Sequence, residues 1–410
     1  MIKWTYLLLL NGLIFLSLSV KAQSKFITVK GKDIIGTDGK PFLMKGTNLG
    51  NWLVPEGYML KLSKANSPGL INKAITEIIG PDAARDFWKK FLDNYVTKDD
   101  IRYLKSTGMN SIRIPFSYKL FTYGDYLGDN NPGRGFELLD RVIGWCRQEG
   151  LYVILDMHCA PGGQTGDNID DGYGYPFLFL NAGSKQQTIQ IWKKIASHYR
   201  NEITILGYDL LNEPIAIDED ILNDLLVPFY KELVQAIRTV DKNHLMILGG
   251  AQWDSKLMML GKPFDGKTIY TFHKYYTPPK QEAIQEYLDY REKYNVPIYC
   301  GESGENKDEW VAEFRMLLDK NNIGWHYWPY KKMDNASGIM SFNPPADYDK
   351  FIAYTEKPRE SFADVRKAAP TREDREKIKQ AIFAVLDNCK FQNCLPNNGY
   401  IEALGLSPGK

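Results

Sequence analysis

Eight short apolar runs, each ending in a polar cluster and followed by an amphipathic stretch, limit how this chain can fold. They are FLMKGTNL (42–49), MNSIRIPF (109–116), LYVILDMH (151–158), ILGYDLLNEP (205–214), HLMILGG (244–250), TIYTFHKYY (268–276), PIYCGESG (297–304) and IGWHYWPY (323–330). Runs that are apolar almost throughout suit strands covered on both faces, as in a parallel sheet. The segments between them carry apolar stripes at spacings of three and four. Phe136, Leu139, Val142, Ile143 and Cys146 share a face in 134–149; Leu222, Leu226, Phe229, Leu233 and Ile237 do so in 219–240; Ile378, Ile382, Val385 and Cys389 do so in 373–389. Such stripes pack helices on a sheet. Eight strands alternating with helices predict a single-domain α/β fold, the (β/α)8 barrel. FITVKGKDIIGTDGKPF (26–42) alternates instead, and predicts a β-hairpin turning at Asp38-Gly39 and capping the barrel's bottom. Residues 118–133 and 160–185, rich in Gly, Asn and Tyr, read as long loops.

The N-terminus reads as an export signal. Lys3, an apolar run and Val20-Lys21-Ala22 form that pattern, with cleavage expected after Ala22. Residues 1–22 are then a signal peptide and 23–410 one catalytic domain, secreted or periplasmic. Asn11 and Gly12 interrupt the run, which argues against an uncleaved anchor, and no cysteine stands there for lipid attachment. Cleavage removes Lys3 and Lys21 from 51 basic residues set against 50 acidic ones. A near-neutral chain gives no reason to expect nucleic acid or an anionic membrane as partner. Of five cysteines, Cys146 and Cys300 read as core thiols, and Cys389 and Cys394 as the pair to bridge if any does. No CxxC spacing suggests a zinc module.

Barrel enzymes carry their chemistry at the C-terminal ends of the strands. Those ends hold Arg113; Asp156-Met157-His158; Asn212-Glu213; His273 and Tyr275; Gly301-Glu302-Ser303; and Trp328. Glu213 and Glu302 come from strands four and seven, on facing parts of the wall. A glycosidic bond is cleaved by such a carboxylate pair. Arg113 and Tyr275 suit the task of holding Glu302 ionised and oriented. Asn212 suits a sugar 2-hydroxyl, His158 and His273 suit hydroxyls or Glu213, and Trp328 suits the face of a sugar ring. Either glutamate alone reads equally well as a structural ion-pair residue. The histidines with a carboxylate resemble part of a metal set. No HxH pair or further strand-end acid completes that set, so neither metal nor cofactor is expected. Asp156 and Asp209 have no evident partner in the sequence.

Across nearly the whole chain this pattern resembles glycoside hydrolase family 5, whose eight recurring active-site positions match Arg113, His158, Asn212, Glu213, His273, Tyr275, Glu302 and Trp328. The resemblance implies a retaining β-glycosidase with Glu213 as acid/base and Glu302 as nucleophile. KGTNLGNWLVPEGYM and DMHCAPGGQTGDN are similar to stretches of fungal exo-β-1,3-glucanases, which implies that Glu56 binds the non-reducing-end sugar. Asn51, Gly57 and Cys159 depart from that pattern. The implied substrates are β-glucans or β-gluco-oligosaccharides. Endo-acting cellulase, mannanase or xyloglucanase activity is the alternative within the enzyme class, and a non-catalytic glycan-binding barrel the alternative outside it.

Overall fold

The computed structural model describes residues 24–409; the signal segment 1–22 lies outside them. Eight parallel strands close into a barrel: Lys45–Asn48, Ser111–Ser117, Tyr152–Cys159, Ile205–Asp209, Leu245–Gly249, Thr268–His273, Ile298–Glu302 and Gly324–Tyr327. Each pairs with its neighbour in sequence, and the eighth pairs with the first through Trp325↔Lys45, His326↔Gly46 and Tyr327↔Thr47. A Cβ on Gly46 would lie 2.1 Å from the Ser111 carbonyl oxygen of the second strand and 2.6 Å from the His326 ring of the eighth, so the first strand requires glycine there.

The hairpin forms a lid under the barrel, but its turn is not at Asp38-Gly39. Thr28–Lys30 pairs antiparallel with Asp33–Ile35, and the chain reverses at Gly31, whose φ is 58°. Asp38-Gly39 makes a second, smaller turn that returns Pro41 to Ile35. Ile27 and Ile34 pack with Met44, Ile154, Leu206, Ile247 and Ile269 and fill the barrel's lower end with apolar side chains. The barrel's interior is therefore plugged from below.

The amphipathic stripes are helices at Arg134–Glu149, Asn223–Arg238 and Arg372–Asn388, with Leu139, Val142, Leu226, Phe229, Ile382 and Val385 buried. The loop 118–133 opens with a short 3-10 turn. The second predicted loop ends sooner than expected, because Asn181 caps the helix Ala182–Tyr199 by accepting the Ser184 N–H. Two helices the periodicity did not single out, Pro68–Ile79 and Pro81–Asn94, bend at Gly80 (φ 83°) and pack against Arg372–Asn388.

Cys389 and Cys394 are not bridged. Cys389 ends the last long helix, and the Cys394 thiol turns to its terminal carbonyls, 3.5 Å from Cys389 O and 3.8 Å from Asn388 O. A weak S–H donor at a helix end answers carbonyls that the helix leaves open. Lys331 adds to this: fully buried, it donates to Cys389 O (3.0 Å) and Tyr95 O (2.8 Å) and pairs with Asp100.

Candidate active site

The upper rim gathers every residue singled out above, with one correction to their placement. The fourth strand stops at Asp209; apolarity continues through Leu210-Leu211, but the ladder does not. Glu213 therefore stands beyond the strand, at a corner with φ 44°, followed by Ile215 at φ 59°. Left-handed backbone is costly for such side chains, about 1–3 kcal/mol each, and persists only where neighbours impose it. Here the neighbours are visible. Asn212 N–H donates to Met157 O and Glu213 N–H to Asp254 Oδ2, each at 3.1 Å. Gln164 Nε2 donates to Asn212 O (2.9 Å), and Thr165 Oγ1 to Glu213 O (2.8 Å). Gln164 and Thr165 belong to the loop after strand three, so that loop braces the Glu213 corner.

Arg113 is the hub of the floor and has no exposed surface. Its Nη1 donates to Glu302 Oε1 at 2.7 Å and to Asn48 Oδ1 at 3.1 Å, its Nη2 to Asn212 Oδ1 at 2.9 Å, and its Nε to Asp209 Oδ2 at 2.9 Å. Asp156 Oδ1 lies 3.1 Å from Nη2, an ion-pair contact without hydrogen-bond alignment, while its Oδ2 holds His158 Nδ1 at 2.8 Å. The two aspartates that lacked partners in the sequence thus share the guanidinium, and one of them orients a histidine. Burial pushes each up to about 7, against the opposing pull of Arg113.

Glu302 ends the seventh strand. Besides Arg113 it receives the Tyr275 hydroxyl at 3.0 Å. Burial raises its pKa, and His273 and Arg113 oppose that rise. Glu213 has no arginine in contact. Its Oε1 meets His273 Nδ1 at 2.9 Å, and burial pushes the carboxyl up to about 7. His273 and His158 are driven by burial down to about 3 and about 4, so both are neutral imidazoles. One oxygen of Glu213, one of Glu302 and one nitrogen of His273 lie within 4.8 Å of one another. Two carboxylates and an imidazole form a possible metal set, but the fixed charge of Arg113 at 2.7 Å from Glu302 opposes a cation there.

Above this floor lies a cavity of about 320 Å³, near the lower end of the range for ligand clefts. Trp328 forms one wall, its ring parallel to His158 (4°, centroids 5.5 Å apart) and its Nε1 donating to Tyr58 Oη at 2.7 Å. A Cβ on Gly50 would come within 2.8 Å of that indole. Glu56 lines the same wall with a buried Oε1 that has no partner; burial and the charges of Glu302, Glu305 and Glu213 raise its pKa well above the carboxylate range. Asn212 Nδ2 is likewise buried and unpartnered. Both atoms are free to hydrogen-bond with water or a ligand.

Sequence reasoning missed several members. Tyr58 and Glu305 line the cavity with Glu56, and Lys332 behind them pairs with Glu305 (2.6 Å) and lies over the Tyr58 ring (4.5 Å). Trp253 and Tyr276 also line the cavity, both in left-handed backbone. An acid was also missed beyond strand five: Asp254, fully buried beneath Glu213. Tyr58, Trp253 and Asp254 follow no apolar run directly, so no strand-end rule could find them; Tyr276 ends the run 268–276 and Glu305 follows the run 297–304, and the strand ends could have pointed to both.

A plugged parallel barrel with two carboxylates at its carboxyl end defines the class of barrel glycoside hydrolases. A family model described as cellulase (glycosyl hydrolase family 5) matches residues 74–334, and the chain belongs to that family. A β-xylosidase of Phanerodontia chrysosporium is 33% identical over 261 residues, covering 61% of this chain and 52% of that protein. Endoglucanase C of Acetivibrio thermocellus is 27% identical over 310 residues (60% and 88%). A glucan 1,3-β-glucosidase of Candida oleophila is 28% identical over 290 residues (65% and 64%). The chain thus spans about half the length of the xylosidase. The three names differ in substrate.

Proposed function

We infer that the protein is a retaining β-glycosidase that hydrolyses O-glycosidic bonds of β-glucans or β-gluco-oligosaccharides, using Glu302 as nucleophile and Glu213 as acid and then base. The observation that carries this reading is the asymmetric pair: two carboxylates with oxygens within 4.8 Å, one bonded to Arg113 and Tyr275, the other to a neutral imidazole. Retaining enzymes hold the pair about 5–5.5 Å apart, whereas inverting ones leave about 6.5–9.5 Å for a water. In the first step Glu302 attacks the anomeric carbon while Glu213 protonates the departing oxygen. In the second, Glu213 removes a proton from water, which attacks the same carbon and releases Glu302. Two inversions leave the anomeric configuration unchanged. Asn212 Nδ2 donates to the 2-hydroxyl, His158 contacts a neighbouring hydroxyl, and Trp328 underlies the ring.

Glu56 and Tyr58, with Glu305 held by Lys332, line one side of the cavity, and a buried acid there suited to a terminal sugar's hydroxyls supports exo action. Endo action is the competing reading, and the xylosidase and endoglucanase relatives keep β-xylosides and β-1,4-glucans among the candidates. Incubation with β-1,3-, β-1,4- and mixed-linked gluco-oligosaccharides, with product lengths followed over time, tests this. Steady release of glucose alone supports exo action, and early mid-length products refute it. We also propose export with cleavage after Ala22. Mass spectrometry of the protein from its native host checks this, and an intact Met1 end in the secreted or periplasmic fraction would count against it. No helix among the described residues is long and apolar enough to cross a membrane.

A further inference from the structure

Residues 252–254 are three consecutive non-glycine residues in left-handed backbone, with φ of 52°, 58° and 58°. This run delivers the Asp254 carboxyl to a place with almost no room. A Cβ on Gly249 would sit 1.5 Å from Asp254 Oδ1. Another on Gly301 would sit 2.9 Å from His273 Nε2. Two glycines and a strained turn thus bring Asp254 and His273 together beneath Glu213.

The contacts there are specific. Asp254 Oδ2 accepts the Glu213 N–H at 3.1 Å and lies 3.5 Å from His273 Nε2. His273 Nε2 is buried with no other partner, and so is Asp254 Oδ1. A separation of 3.5 Å is long for a hydrogen bond, but catalytic contacts of this kind are often long before substrate binds and tighten in the complex. On its other side, His273 Nδ1 meets Glu213 Oε1. A neutral imidazole carries one N–H, and the partner of one nitrogen decides which nitrogen that is.

We propose that Asp254 is a positioning residue for the acid/base: its carboxyl O–H donates to His273 Nε2, fixes the proton of the imidazole on Nδ1, and thereby assigns the catalytic proton of Glu213 to Oε2. With Nδ1–H donating to Oε1, that oxygen accepts in both protonation states of Glu213. The transferable proton then resides on the other oxygen, the one left for the glycosidic bond. The same Asp254 oxygen holds the Glu213 backbone at its corner. The groups facing Asp254 agree: burial and the charges of Asp209 and Glu213 raise its carboxyl well above the usual range, opposed by the Glu213 N–H and Arg113.

This inference rests on the glycosidase reading, and the test separates the two. Asp254→Asn keeps size and tolerates left-handed backbone. Its single carbonyl oxygen takes the Glu213 N–H, which leaves Nε2 without a donor. For a disaccharide with a poor leaving group, kcat/KM falls about 100-fold. For 2,4-dinitrophenyl β-glucoside, whose leaving group needs no proton, it stays within about 3-fold. Equal losses on both substrates, or no loss on either, overturn the proposal. A wild type that cleaves neither substrate overturns the glycosidase reading instead. Independently of activity, proton–nitrogen spectra of ¹⁵N-histidine protein, with His273→Gln identifying the signal, report the tautomer. The Nδ1–H form in wild type and its loss in the Asn variant are expected; an Nε2–H form in wild type overturns the proposal.

Discussion

The two glutamates of the site have oxygens within 4.8 Å of each other, yet their surroundings differ in kind. Glu302 ends a strand, in ordinary extended backbone, and its partners are a guanidinium and a phenol. Glu213 stands off its strand at φ 44°, and its partners are a neutral imidazole and, through the backbone, a buried acid. A permanent cation stabilises the ionised form of the first, whereas low dielectric and neutral company stabilise the protonated form of the second. A nucleophile and a proton donor built from the same side chain need that contrast.

The sharpest attempt to break the contrast is Glu302→Ala. Activity should fall by at least about 10⁴-fold with the melting transition kept. Added azide, with an activated substrate, should yield a glycosyl azide of inverted configuration. An azide of retained configuration would exchange the roles of the two glutamates. Glu213→Gln comes next: about 10²- to 10⁴-fold on oligosaccharides and much less on dinitrophenyl glycosides, read by comparing kcat/KM for the two substrate types. A uniform loss would make Glu213 structural. The pH profile sharpens the comparison without mutation. Activity needs Glu213 protonated, so kcat/KM should decline above about 7, tenfold per pH unit. It also needs Glu302 ionised, so it should decline again at lower pH, through a limb displaced upward from 4.5 by burial. A flat profile across both limbs would contradict the assignment. The smallest effect is expected at Glu56. Glu56→Gln should cost about 10-fold, mainly in KM for oligosaccharides, and a variant with unchanged KM would remove Glu56 from sugar recognition.

Much of this was legible in the sequence because parallel strands announce themselves by apolar runs and barrel chemistry follows them. Each of the eight runs holds a strand, and His158, Glu302 and Trp328 stand at or just past strand ends as the runs predicted, whereas Arg113 lies inside Ser111–Ser117 and reaches the site with its long side chain. What the sequence could not show is geometry that pattern does not encode. Leu210 and Leu211 are as apolar as the strand before them, yet they belong to a corner fixed by Gln164 and Thr165 from another loop. Asp209 looked like an unexplained acid in an apolar run until Arg113, from two strands away, reached it. Asp254 lies five residues past its strand and acquires its position only through a left-handed turn and two glycines. Cys389 and Cys394 have a spacing that permits a bridge, but capping the helix end uses the thiol differently.

The seam between the first and eighth strands has a consequence for how the chain comes to be made. Thr47 donates its hydroxyl to Tyr327 O across 280 residues of sequence. During synthesis Lys45–Asn48 emerges early, pairs with Ser111–Ser117 on one side, and keeps an open edge on the other until residue 327 has appeared. Contacts this distant form late, and an unpaired strand edge invites association in the meantime. The fold is therefore most vulnerable while it is nearly complete, with seven strands present and the sheet not yet a ring.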